Sequence, residues 1–170
     1  LVWSSKARAL LMSWIGLVRF AVAVPIANDP NGFETILWGS ILAEMDGFAQ
    51  IEEAGRLQTY ELSGQPPVLG TVPVDSLRFT TFEKKLGRVT VRYTGQASHI
   101  KILMYLESKY GPLDRTPGQI AAGSTKVYAW QGMYTEITLR FESGLERGIV
   151  FFESRTLPEK LTDETSTTAF

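Results

Sequence analysis

Between Ser76 and Tyr93 the chain forms two strand-like runs, Ser76–Glu83 and Arg88–Tyr93, around Lys84-Lys85-Leu86-Gly87. In the second run Val89, Val91 and Tyr93 alternate with Arg88, Thr90 and Arg92. Successive strand side chains point to opposite faces, so this alternation demands a sheet with one face packed and the other wet. The residues between the runs read as a hairpin turn, with Gly87 at the position that needs a positive φ. Lys126–Trp130, Thr135–Phe141 and Glu146–Glu153 read as three more antiparallel strands, joined by turns at Gln131–Tyr134 and Glu142–Leu145. Leu57–Glu61 alternates more weakly and is broken by the Gly- and Pro-containing stretch Ser63–Gly70.

Two segments follow a helical period. Ser98 can cap a helix in which His99, Ile102, Leu103, Leu106 and Tyr110 form one apolar stripe, and Gly111-Pro112 ends it. A shorter helix is expected over Ile41–Asp46, capped by Ser40, with Ile41, Leu42 and Met45 on one side and Gly47 at its C-terminal end. The order is then helix and three strands, twice over. The expected fold class is α+β, a tandem pair of α-β-β-β units forming an antiparallel sheet with both helices on one face.

The N-terminal segment has a different character. Lys6 and Arg8 precede the apolar run Ala9–Val18, and Ala21-Val22-Ala23 supplies the small residues that signal peptidase requires. Residues 1–23 read as a secretory signal peptide. Cutting after Ala27 is the weaker alternative, because Pro25 would occupy its −3 position. A membrane-spanning helix needs about 20 apolar residues, so this shorter run predicts no stable membrane span after cleavage. Residues 24–156 then form a single domain, with sub-units at about 32–95 and 96–156, and residues 157–170 read as a disordered polar tail. The expected location is the bacterial periplasm or the cell exterior.

The composition excludes much chemistry. There is no Cys, so disulfides, thiolate nucleophiles and zinc-thiolate centres are ruled out, and a single His rules out multi-histidine metal sites. Seventeen Lys and Arg against 18 Asp and Glu leave no basic excess for a nucleic-acid backbone. His99 with Ser98 invites a nucleophile reading, but adjacent helix residues point about 100° apart, which favours a packed or capping His. Glu52-Glu53 and Glu142/Glu146 are paired carboxylates without a recognisable catalytic context. Gly64–Gly70 lacks the Lys-Ser/Thr pair of a phosphate loop, its prolines remove backbone donors, and no calcium-loop pattern is present. No cofactor is expected and no catalytic residue is assigned.

Gly32-Phe-Glu-Thr-Ile-Leu-Trp-Gly-Ser40, followed by a hairpin, a helix ending in Lys109-Tyr-Gly-Pro112 and the strand Tyr128-Ala-Trp130-Gln-Gly132, resembles a group of small exported bacterial proteins of unknown function. In these a Gly-Phe-x-x-Ile-x-Trp-Gly opening closely follows the signal peptide, and the resemblance spans roughly residues 32–153. The alternation of helix and β-meander also resembles β-lactamase-inhibitor-protein domains and the small lipoprotein of outer-membrane barrel assembly, at the level of fold. That likeness implies action through protein contacts and transfers no specific function. Without Cys, the chain cannot be a lipoprotein.

The aromatic residues are the remaining signal. Trp38, Trp130 and Tyr134 could form an exposed anchor cluster for a partner, although both tryptophans are also well placed to fill the core. The expectation is a non-catalytic protein-interaction module with a protein partner in the cell envelope. The alternative is a carrier holding a small apolar ligand between helices and sheet, in a cavity lined by residues such as Phe79, Leu103 and Ile137.

Overall fold

The strand alternation is realised in a single large sheet. A computed structural model of the chain describes residues 23–113, 119–122 and 124–157. In chain order its strands are β1 (Val24–Pro25), β2 (Gly32–Phe33), β3 (Ile36–Leu37), β4 (Phe48–Ala54), β5 (Leu57–Leu62), β6 (Val68–Leu69), β7 (Val72–Pro73), β8 (Ser76–Phe82) and β9 (Lys85–Thr94). After the helix α1 (Gln96–Tyr110) come β10 (Gln119–Ala122), β11 (Thr125–Gln131), β12 (Thr135–Glu142) and β13 (Arg147–Ser154). The large sheet runs in spatial order β1, β11, β12, β13, β9, β8, β5, β4, with β10 also alongside β11. Its pairs are antiparallel, apart from the short parallel pair that sets Val24 opposite Trp130. The β2–β3 and β6–β7 pairs are separate two-stranded hairpins.

This architecture corrects the expected α+β class with two helices on one face: the described chain is mostly β and α1 is its one α-helix. The helix expected over Ile41–Asp46 is a single 3-10 turn at Leu42–Glu44. Ser40 provides no side-chain cap, and Ile41 precedes the turn in an extended conformation. The backbone here is already committed to β9: the Gly39 N–H donates to the Leu86 carbonyl, the Leu86 N–H donates to the Ser40 carbonyl, and Ile41 bridges Lys85. Those bonds hold residues 39–41 extended, and the few residues left before Gly47 cannot repay helix nucleation. Only Leu42 of the expected stripe is buried, while Ile41 and Met45 are exposed.

The turn between β8 and β9 also differs from the expectation. It is made by Glu83 and Lys84, with φ of 47° and 69°, the two consecutive positive values that a tight hairpin needs. Gly87 lies inside β9 as the extra residue of a bulge, since Thr80 faces Arg88 while Thr81 faces Leu86.

The longer helix forms as its stripe requires. His99, Ile102, Leu106 and Tyr110 are buried against the sheet, and Leu103 is partly buried. The helix begins two residues before the expected Ser98, after Gly95 (φ 100°), and ends at Gly111 (φ 119°), whose N–H bonds the Glu107 carbonyl. Opposite the helix lie Phe79, Val89, Val91, Ile137, Leu139, Phe141, Val150 and Phe152, all fully buried. β9 and β13 pair from Thr94 opposite Arg147 to Arg88 opposite Glu153, so the sub-units expected at 32–95 and 96–156 share one continuous sheet. At this seam the Tyr93 ring lies across Gly148, where a Cβ would come within 1.9 Å of the ring. The expected signal peptide and disordered tail lie outside the described residues, except for Ala23 and Leu157. Among the described residues, no helix is long and apolar enough to cross a membrane.

Candidate functional site

The cross-strand registers place a second set of side chains on the sheet face opposite α1. Thr138, Phe151, Thr90 and Arg78 share one row across β12, β13, β9 and β8. The next row is Arg140, Ile149, Arg92 and Ser76, and the row on the other side contains Glu136, Glu153, Arg88 and Thr80. Directly opposed residues share a face, so four arginines from three strands surround Phe151, Ile149 and Thr90. Glu142 and Arg147 close one end of this surface, and Glu61 flanks Arg78. The helix and the β2–β3 and β6–β7 hairpins pack on the first face, where Phe33, Leu69 and Val72 join the core.

Arg88 organises the second face. Its side chain is 8% exposed and donates through Nε and Nη2 to Glu153 Oε1, at 2.9 and 2.6 Å. The Arg88 guanidinium also lies 5.3 Å from the Phe151 ring centroid, and that of Arg140 lies 5.9 Å from it. Cations over an aromatic face are attracted by its quadrupole, and their stems cover apolar surface, which explains how Ile149 and Phe151 are buried on a face built of polar residues. Arg78 Nε donates to Glu61 Oε1 at 3.1 Å in an exposed pair of small energetic weight.

The three aromatics expected as an anchor cluster are buried to different degrees. Trp130 is fully buried, and its Nε1–H donates to the Gly111 carbonyl at 2.9 Å, so it serves the core and the helix terminus. Trp38 is half-buried and donates from Nε1 to Thr135 Oγ1 at 2.9 Å. Tyr134 is 39% exposed in the turn between β11 and β12.

That turn is held by Asp29, which lies between β1 and β2. Its carboxylate accepts from the backbone N–H groups of Tyr134 at 2.6 Å, Thr135 at 3.1 Å and Asn31 at 3.0 Å. Partial burial opposes ionisation of Asp29, but these bonds and that of the Thr135 hydroxyl outweigh it and hold the carboxyl below its ordinary range. A second tie joins the β2–β3 hairpin to α1. Glu34 accepts from the Tyr105 hydroxyl at 2.6 Å and from Lys109 Nζ at 2.8 Å. Burial, then the bond and charge of Glu34, push the Tyr105 phenol above its ordinary value.

The residues weighed for catalysis are scattered. His99 is buried, with its ring stacked on Phe141 at 3.8 Å between centroids. Glu52 and Glu53 are exposed on the edge strand β4, and as successive strand residues they face opposite ways. Glu142 lies on the second face and Glu146 in the turn before β13. Among the described residues, no three His, Asp or Glu side chains gather as a metal site. Of the residues expected to line a carrier cavity, Phe79 and Ile137 are fully buried in the core and Leu103 packs at its margin. An open cleft of about 230 Å³ instead lies on the flank of the sheet, lined by Glu61, Leu62, Gln65, Pro66, Pro67, Val68, Asp75, Ser76 and Leu77.

Comparison with protein-family models, curated proteins and solved structures finds no match for this chain.

Proposed function

We propose that the protein is exported to the bacterial cell envelope and acts there as a non-catalytic protein-interaction module, with the second sheet face as its contact surface. The supporting observation is the arrangement of Arg78, Arg88, Arg92 and Arg140 around Phe151, on the face that the helix and small hairpins leave alone. Arginine and aromatic side chains supply planar hydrogen bonding and apolar area together, the combination that dominates protein interfaces.

The pairing of β1 with β11 supports signal cleavage after Ala23. Val24 is the first residue of β1, the Ile26 N–H donates to the Gln131 carbonyl, and the Ala27 N–H donates to the Tyr110 carbonyl. Cleavage after Ala27 would remove this strand from the sheet.

Intact-mass measurement of protein from the periplasmic fraction, combined with co-purification, tests the proposal. The expected result is the mass of residues 24–170 with a stoichiometric protein partner that a Thr90→Trp variant no longer retains. An uncleaved chain in the cytoplasm would overturn export. A partner retained by Thr90→Trp would overturn the assignment of the face.

A further inference from the structure

We infer that the arginine face receives a short acidic segment of its protein partner, in extended conformation and with basic or neutral residues at both ends. This rests on the preceding proposal that the face is the contact surface. The central rows are basic, with Arg78, Arg92 and Arg140 beside Arg88. Acidic residues stand at the margins: Glu136 beyond the Glu153–Arg88 pair at one end, Glu142 opposite Arg147 at the other, Glu61 on the flank. A uniform polyanion such as polyphosphate meets repulsion at those margins. A segment acidic only in its middle matches the pattern throughout, and like-charge juxtaposition is what separates right from wrong partners.

The geometry suits carboxylates. The Arg140 guanidinium lies 5.9 Å from the Phe151 ring centroid and makes no ion pair among the described residues. A guanidinium pairs a carboxylate through two bonds. Arg140 and Arg92 sit on strands separated by β13, about 10 Å apart by interstrand spacing. Ile149 lies between them, and Thr138 and Thr90 supply hydroxyls in the adjacent row.

The test uses the whole chain and the synthetic peptide Lys-Thr-Glu-Thr-Glu-Thr-Glu-Thr-Lys, titrated at low salt and followed by peptide fluorescence anisotropy and by backbone amide shifts. Saturable binding is expected, with the largest shifts at Thr90, Thr138 and Ile149. Arg140→Gln should weaken binding about tenfold or more. Lys101→Gln, on the exposed side of α1, should leave it unchanged, with both variants unfolding at the temperature of the parent. The Gln-for-Glu peptide should not bind, and polyphosphate should bind more weakly than the acidic peptide. Tighter binding of polyphosphate would overturn the inference and mark a phosphate-recognising face. Absence of peptide binding, or an Arg140→Gln variant with undiminished affinity, would overturn it as well. In either case, a partner still lost from the Thr90→Trp variant would leave the contact surface standing.

Discussion

The imidazole Nδ1 of His99, in the first turn of α1, lies 2.8 Å from the hydroxyl of Tyr93 near the end of β9. Two residues only six apart in the chain thus join the helix to the central seam of the sheet, where the Tyr93 ring covers Gly148. The His99 ring is enclosed by Phe141, Tyr128 and Tyr93, and Lys126 is the charged side chain acting on it. Burial, then the Lys126 charge, lowers its pKa from 6.5 to about 4.

This predicts an acid-dependent loss of stability. Between pH 6.5 and 4 the unfolded chain binds a proton at His99 that the folded chain refuses, so stability falls as pH falls through that window, by about 3 kcal/mol in all. Urea unfolding from pH 7 to pH 4 checks it. A His99→Phe variant should show a shallower decline than the parent, the difference isolating this group from carboxylates such as Asp29 and Glu34.

Gly148→Ala should destabilise the protein by about 1–3 kcal/mol, because the new methyl group would have to displace the Tyr93 ring at the seam joining the two halves of the sheet. Chemical unfolding of Gly148→Ala, Tyr93→Leu and the double variant measures the coupling. The alanine should cost much less when the ring is absent.

Asp29→Ala should cost about 1–3 kcal/mol by leaving the N–H groups of Tyr134 and Thr135 without their acceptor. Hydrogen exchange should accelerate at those two amides well before it does at Ile137 or Leu139. Uniform acceleration across β12 would contradict a local role.

Glu153→Ala removes the carboxylate that receives two bonds from the nearly enclosed Arg88, at a cost of about 1.5–3 kcal/mol. Arg78→Ala, in its exposed pair with Glu61, should cost less than about 1 kcal/mol. Thermal unfolding of the two variants side by side tests the ordering.

The elements read correctly from the sequence are those whose signal is local. β12 and the second half of β9 alternate residue by residue, and the α1 stripe from His99 to Tyr110 ends at Gly111 through a backbone preference that belongs to glycine itself. Such patterns are written into the chain because each residue's face follows from its neighbours' geometry. The segment Ile41–Asp46 has a helical pattern too, yet its backbone bonds are taken by Leu86, which local periodicity cannot register. Likewise, Gly87 was available for a turn until the pairing of β8 with β9 placed the turn at Glu83 and Lys84.

The candidate surface lay still further from view. Arg78, Arg88, Arg92 and Arg140 come from three strands, β8, β9 and β12, and the pairing of β9 with β8 and of β13 with β9 and β12 makes them neighbours around Phe151. Asp29 reaches Tyr134 across 105 positions, and Trp130 is buried because the end of α1 comes to its indole. By itself the sequence determined which residues alternate, where α1 runs and what chemistry is excluded by the absence of Cys. Tertiary structure alone decided strand order, the loss of the first helix and the grouping of the arginines, because hydrogen bonds and packing between distant segments set those outcomes, overriding local preference where the two conflict.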